Sequence, residues 1–554
     1  MHEGANASDR TDVDVVIVGA GFAGLYMLHE QRKAGRSAVV LEAASGVGGT
    51  WYWNRYPGAR CDIESLEYSY SFDEDLQQEW QWSERYATQP EILQYLEHVA
   101  DRFDLRRDIR FDTRVLAATW DDDAATWTVR TEAGDQIAAR WVVMATGCLS
   151  STMLPDIEGA ATFAGPTYHT GRWPHEGVDF TGLRVGVIGT GSSAIQSIPL
   201  IAEQAAELTV FQRTASYTVP AWNAPLDPER VGDVKSRYPE FRAANRGMPS
   251  AFGSDIGPND VSAQLVSDEE RRAELERRWE RGGLPFLGAF NDILLDNRSN
   301  ELVRAFVVEK LHEIVEDPDL AARLSPDQII GCKRLCVDTG YWQTFNRDHV
   351  HLVDLRETPI ERITATGIRT AGEDHEVDAI VFATGFDAMT GALLAIDIRG
   401  RDGVALRDAW AHGPTNLLGL MVDGFPNLFT ITGPGSPSVL TNMVVSIEHH
   451  VDWITECIGS IEGAGHRTIE ATSEGQDAWV AWVNAVADLT LFPGCSSWYL
   501  GANVPGKPRQ FMPLVGFPPY AEHTAKVAAN GYPGFAIDGE PVDAPPIDPA
   551  ASLV

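Results

Sequence analysis

The side chains best able to do chemistry in this sequence are a few charged residues at the edges of glycine-rich segments. Lys333 and Arg334 stand together in GCKRLC, in a chain with a formal net charge of −35. Against that acidic background an adjacent pair of cations after a glycine is a candidate anion site, with a solvated basic pair as the plain alternative. Arg334 is the stronger candidate because a guanidinium stays charged at any working pH. Arg213 and Thr214 follow an apolar run, and a guanidinium beside a hydroxyl suits a phosphate. Glu42 follows another such run, where a carboxylate accepts from ribose hydroxyls.

These residues need elements to position them. Val13–Val18 (VDVVIV) reads as a buried parallel strand, and GAGFAG follows at once with Gly19, Gly21, Phe22, Ala23 and Gly24. A helix to about Lys33 and a strand over Ser37–Leu41 lead to Glu42. Gly19 permits a tight turn, Gly21 admits a pyrophosphate to the backbone, and Gly24 lets helix pack on strand. A second unit starts with a strand over Arg184–Ile188. GTGSSA follows with Gly189, Thr190, Gly191, Ser192, Ser193 and Ala194, then Gln196 further along the helix. Its partner strand, Glu207–Gln212, ends without an acid and in Arg213 instead. A carboxylate there would repel a 2′-phosphate that Arg213 and Thr214 can bind. The first site is therefore expected to take an unphosphorylated dinucleotide and the second NADP. Electron transfer from NADPH to a flavin, FAD, is the economical reading of two dinucleotides in one chain. ATGCLS (145–150) and VFATGF (381–386) each put A-T-G after an apolar strand, where such a protein crosses between domains.

The expected fold class is α/β, with two Rossmann-like dinucleotide-binding domains and a helical insertion. FAD is assigned to 13–150 and 385–537, NADP to 151–221 and 327–384. The charged, helical stretch 222–326 reads as the insertion, with a capping box at Ser267–Glu270 opening a helix through Trp279. Residues 1–12 and 538–554 read as disordered ends.

The acidic balance argues against nucleic acid and anionic membranes. No apolar run reaches the roughly 18 residues of a membrane span, and residues 1–12 lack the apolar core of a signal peptide. The six cysteines form no C-x-x-C pair, and their spacing suggests neither a metal site nor a disulfide framework. A cytoplasmic setting is expected, with the chain a monomer or weak homo-oligomer.

Two longer patterns carry a resemblance. F-x-G-x-x-x-H-x-x-x-W-P is met by Phe163, Gly165, His169, Trp173 and Pro174, just before the second glycine-rich unit. G-G-x-W-x-x-x-x-Y-P-G-x-x-x-D is met by Gly48, Gly49, Trp51, Tyr56, Pro57, Gly58 and Asp62. With these the chain resembles the type I Baeyer–Villiger monooxygenases, in particular the phenylacetone, cyclohexanone and steroid branch, from about Val13 to Gly534. Related flavin monooxygenases that oxidise nitrogen or sulfur usually carry Phe or Tyr in place of Trp173.

The resemblance implies NADPH- and dioxygen-dependent oxidation of a ketone to an ester or lactone, through an FAD C4a-peroxyflavin and a tetrahedral adduct. It implies that Arg334 stabilises both anions, that Asp62 positions Arg334 and binds the nicotinamide ribose or amide, and that Lys333 joins Arg213 and Thr214 on the 2′-phosphate. Cofactor contacts are expected from Gly49, Thr50, Trp51, Tyr68 and Val115, and from Trp498 on a mobile loop that covers NADP. The ketone pocket is expected at Cys148, Leu149, Pro437, Ser438, Val439, Leu440 and Met443. His169 is expected to be a linker residue coupling domain motion, and no metal is called for. Asp62 as a helix-start carboxylate and Trp498 as a core residue are the plain alternatives. Oxidation of amine nitrogen or thioether sulfur is the rival activity. A disulfide-type oxidoreductase lacks its C-x-x-C, and a non-catalytic flavin sensor would not need this charged set.

Overall fold

The computed structural model describes residues 12–543. The expected disordered ends therefore fall largely outside it, at 1–11 and 544–554. Two sheets carry the glycine-rich units. In the first, the strand Val13–Val18 lies between Ala38–Leu41 and Gln136–Met144, parallel to both. Leu428–Thr430 extends it, also parallel to Gln136–Met144. The register aligns Val18 with Leu41 and with Met144. Gly19, Glu42 and Ala145 thus leave the sheet at one edge, the carboxyl end where dinucleotides bind in open α/β sheets. The second sheet runs Val350–Asp354, Glu207–Gln212, Arg184–Ile188, Ala379–Phe382, Thr167–His169, all parallel. Ile188 aligns with Phe211 and Phe382, so Gly189, Arg213 and Ala383 share an edge in the same way.

Both units use their first glycine alike. Gly19 has φ +105°, and a Cβ there would stand 2.6 Å from the Ala145 carbonyl oxygen. Gly189 has φ +114°, and its Cβ would stand 2.5 Å from the Ala383 oxygen. Each A-T-G segment therefore abuts the phosphate turn of one unit. The helices that follow are Phe22–Lys33 and Ser192–Ala202. Their inward faces are buried, with Leu25 and Leu28 on one and Ala194, Ile195 and Ile198 on the other at 0% exposure.

Between 222 and 326 the chain is helical, at Pro228–Ser236, Tyr238–Arg246, Asp268–Arg281, Asn297–Ile314 and Pro318–Leu324. Ser267 and Glu270 form the reciprocal capping box, which satisfies two orphan donors at the helix start. The apolar helix after GPGSPS is Met443–Gly463. Among the described residues no helix is long and apolar enough to cross a membrane.

One correction concerns the carboxyl-terminal end. Asp538, expected to open a disordered tail, accepts from the backbone N–H groups of Arg467 and Thr468 at 2.7 and 2.9 Å. Glu540–Pro541 then pairs back on Phe535–Ile537. A single well-placed Asx acceptor outweighs the polar composition there.

The third position distinguishes the units. A Cβ on Gly24 would lie 1.8 Å from the Gly19 carbonyl oxygen, whereas Ala194 is accommodated at the matching place. Gly24→Ala is expected to lower the melting temperature and the flavin content, reversing the roughly 0.5–1 kcal/mol a helix normally gains from that change. Ala194→Gly should cost only about 1 kcal/mol. Thermal denaturation with flavin quantification checks both, and an unimpaired Gly24→Ala protein would contradict the packing argument.

Candidate active site

At the first unit, a Cβ on Gly21 would come within 3.4 Å of the Gly49 Cα. The turn of GAGFAG and the Gly48–Gly49 turn thus pack backbone to backbone, and the Gly48 N–H donates to the Ala20 carbonyl at 2.9 Å. Thr50 opens the short helix Thr50–Trp53 at its rim. Glu42 is buried, and its two oxygens accept from Ala20 N–H at 2.6 Å and Ala44 N–H at 2.7 Å. Each carboxylate oxygen keeps a lone pair for a ribose hydroxyl. Burial raises the Glu42 pKa against the pull of those amides. Phe22 packs on Tyr68 with ring centroids 5.3 Å apart, and the Trp51 indole N–H donates to the Tyr68 hydroxyl at 3.3 Å. Ala23 is buried in the same core cluster, and Val115 is buried in a separate one. This cradle fits FAD.

At the second unit, nothing lies within 4 Å of where a Cβ on Gly191 would stand, so the N–H groups at the start of Ser192–Ala202 are open to an anion. The Thr190 hydroxyl donates to the Thr214 carbonyl at 2.7 Å, tying the phosphate turn to the end of Glu207–Gln212. The Ser193 hydroxyl donates to Thr170 Oγ1 and the Ser192 hydroxyl meets the Cys336 sulfur. Lys333 has a lowered pKa, first through burial and then through the charge of Arg213. Two cations close enough to repel are what a phosphate dianion would neutralise. This cradle fits NADP.

The two halves meet at the Tyr56–Asp62 loop. Gly58 has φ +79°, and a Cβ there would stand 2.3 Å from the Gln196 carbonyl oxygen. The Gln196 side chain accepts from the Tyr56 hydroxyl at 2.8 Å and donates to the Arg60 carbonyl at 3.1 Å. Asp62 follows and takes Arg334 in a two-pronged pair, Nε to Oδ2 at 2.5 Å and Nη2 to Oδ1 at 2.7 Å. Arg334 Nη1 donates to the Val439 carbonyl at 2.7 Å. Burial opposes the Arg334 charge, but Asp62 more than offsets it and the pKa is held well above the ordinary value. Asp62 starts no helix. The Tyr499 phenol sits against the same guanidinium, and burial leaves its pKa raised to about 12.

Beyond Arg334 lies an apolar cluster of Cys148, Cys332, Ala388, Met389, Val439, Phe492, Cys495, Tyr499, Leu500 and Met512, with Leu149, Leu440, Met443 and Trp498 packed on it. It brings together the expected pocket residues from distant parts of the chain. Pro437 and the buried Ser438 support its floor, with the Ser438 hydroxyl donating to the Thr432 carbonyl at 3.2 Å. Met389, Tyr499, Leu500 and Met512 were missed by sequence reasoning. Tyr499 and Leu500 adjoin Trp498 and were open to the same reading, while Met389 and Met512 carry no local signal. The cysteine expectation is also corrected, because Cys332 and Cys495 form a disulfide. They stand 163 positions apart, and spacing along the chain says nothing about a pair that folding alone brings together.

The Phe163–Pro174 pattern lies outside the cluster. Trp173 is 3% exposed, packed between Tyr168 and Phe180 at centroid distances of 5.5 and 6.1 Å. A Cβ on Gly165 would meet the Asp378 carbonyl and the Phe163 ring, and one on Gly171 the Phe386 ring. His169 Nδ1 accepts from the Gly171 N–H at 3.0 Å, and burial lowers its pKa. Its other nitrogen faces the Thr384 hydroxyl at 3.4 Å, in the second A-T-G segment.

The family model described as pyridine nucleotide-disulphide oxidoreductase matches residues 16–237. That span contains neither Cys332 nor Cys495, so the match speaks to the nucleotide fold. The chain is 42% identical to a Baeyer-Villiger monooxygenase of Pseudooceanicola batsensis, over 95% of this chain and 96% of that one. It is 40% identical to a phenazine N-monooxygenase of Lysobacter antibioticus, over 96% and 98%. A solved oxidised steroid monooxygenase bound to NADP matches with TM-score 0.91 and 54% identity, over 95% of this chain and 99% of that one. With its two nucleotide cradles and full-length likeness to these proteins, the chain belongs to the Baeyer–Villiger monooxygenase family of FAD- and NADPH-dependent flavoproteins.

Proposed function

We propose that this chain oxidises a neutral ketone to an ester or lactone with NADPH and dioxygen. The observation that carries the reading is Arg334, clamped by Asp62 between the two nucleotide cradles and bordering an apolar cluster. Bound FAD supplies the oxygen-activating chemistry. On this reading 13–150 with 385–537 hold the flavin, and 151–221 with 327–384 hold NADP.

Arg334 stabilises the negative charge that develops on oxygen as the ketone carbon becomes tetrahedral. Asp62 fixes the guanidinium plane and keeps it protonated. Lys333, Arg213 and Thr214 bind the 2′-phosphate, and Glu42 binds the ribose of the flavin nucleotide. Trp498 and Tyr499 exclude water, which would otherwise divert the reaction to hydrogen peroxide. The pocket wall at Cys148, Leu149, Val439, Leu440 and Met443 offers apolar contact suited to an uncharged substrate.

Oxidation of a heteroatom is the second reading, favoured by the likeness to the phenazine N-monooxygenase. Oxygen uptake with NADPH, followed by mass spectrometry of products from a ketone, an amine and a thioether, separates the two.

Arg334→Ala is expected to reduce ester formation by at least ~10²-fold, on the scale of a lost oxyanion stabiliser, with FAD content unchanged. Normal ester yield in that variant would remove the role assigned to Arg334. Lys333→Ala should raise KM for NADPH far more than for NADH, because only the former carries the 2′-phosphate. Equal losses with both coenzymes would argue that Lys333 has no part in that recognition.

A further inference from the structure

We infer that Cys332 and Cys495 are a redox-responsive latch that positions the Trp498 loop against the Lys333–Arg334 segment, closed by hydrogen peroxide leaking from the enzyme's own turnover. The inference rests on the oxygenase reading above. The disulfide joins the residue immediately before Lys333 to a residue just ahead of Trp498. Both cysteines lie in the apolar cluster with Cys148 and Val439, at 3% and 2% exposure. Among the described residues it is the only covalent tie between the loop and the segment bearing both cations; Cys61, Cys148, Cys336 and Cys457 are free.

The loop's other attachments are non-covalent: Tyr499 sits against Arg334, and the remaining hydrogen bonds are made elsewhere. Asn503 donates to the Phe386 carbonyl at 2.8 Å, and Lys507 reaches Asp387 at 2.5 Å and the Ala388 carbonyl at 2.6 Å. Arg509 donates to the carbonyls of Pro493 and Cys495 at 2.7 and 2.6 Å, folding the loop on itself. Such bonds are exchanged for water at small net cost when a loop lifts. A disulfide is not, so its state decides whether the Cys495 end of the loop can leave Lys333.

The chemistry balances without an added partner. Two thiols give up two electrons and two protons to hydrogen peroxide; the O–O bond breaks, the S–S bond forms, and two waters leave. On the oxygenase reading peroxide is released when water reaches the site, and both sulfurs lie in the apolar cluster that Arg334 borders. A leaking enzyme therefore makes the oxidant that closes the loop over the leak. Opening requires a dithiol, which attacks one sulfur, passes through a mixed disulfide and is itself oxidised to a disulfide. With both sulfurs buried, that attack needs the loop to lift first, so NADP+ bound beneath the loop should slow it.

The test uses the FAD-loaded enzyme purified without reductant. Thiol titration in denaturant should find four thiols after treatment with hydrogen peroxide and all six cysteines as thiols after dithiothreitol. The reduced enzyme and a Cys332→Ser/Cys495→Ser variant should release NADP+ about threefold or more faster than the oxidised enzyme, as expected when loop opening limits release. They should also divert more NADPH to peroxide during ketone turnover. One further peroxide treatment should restore slow release in the reduced wild type and not in the variant. Six thiols after peroxide, or identical NADP+ release from oxidised and reduced enzyme, would overturn the latch. Thiol counts and NADP+ release need no ketone, so they judge it separately from the ester-forming reading.

Discussion

The bidentate pair between Asp62 and Arg334 is the interaction on which the arrangement depends. Its two ends come from different halves of the chain, one from the loop after the first glycine-rich unit, the other beside the cation that faces Arg213. A guanidinium half-removed from water is costly unless its donors are matched. Here Asp62 takes two of them and the Val439 carbonyl a third. The same geometry brings the floor of the apolar cluster to the guanidinium. The two glycine-rich halves, the charge and the apolar cluster are thus registered to one another through a single planar group, which a lysine's point charge would not do.

Around that pair the protein repeats one solution. In each sheet the three central strands end level, the first glycine of the turn presses on the A-T-G carbonyl of the neighbouring strand, and the helix points its open N–H groups across the edge. What differs is the residue after the partner strand: a carboxylate in one case, a cation in the other. On the proposed reading, specificity for the two nucleotides is set by a side chain at one matched position, while the phosphate grip stays the same.

Much of this is legible in the sequence because it is local. Strand, glycine turn and helix are neighbours along the chain, and a positive φ or a closely approached carbonyl leaves a glycine as its trace. Glu42, Arg213 and the Ser267–Glu270 box are legible for the same reason. Residues whose roles arise only on folding are not. Met389 and Met512 are ordinary apolar residues until folding sets them against Cys148 and Val439. Cys332 and Cys495 lack the close spacing that marks a pair. Asp538 sits in a composition typical of tails, yet it accepts from two backbone amides. The pairing of Asp62 with Arg334 was reached through resemblance, since nothing in either local segment specifies the other.

The burial of Trp173 bears on how such chains are classified. The pattern that ends in Trp173-Pro174 describes how Trp173 closes over a short edge strand, between Tyr168 and Phe180, and none of its side chains belongs to the apolar cluster. It is a signature of scaffold assembly. The guanidinium of Arg334 and the apolar cluster it borders are built from other segments of the chain. A change at Trp173 is therefore felt first as loosened packing against Tyr168 and Phe180, at a distance in the fold from the charge that Asp62 holds.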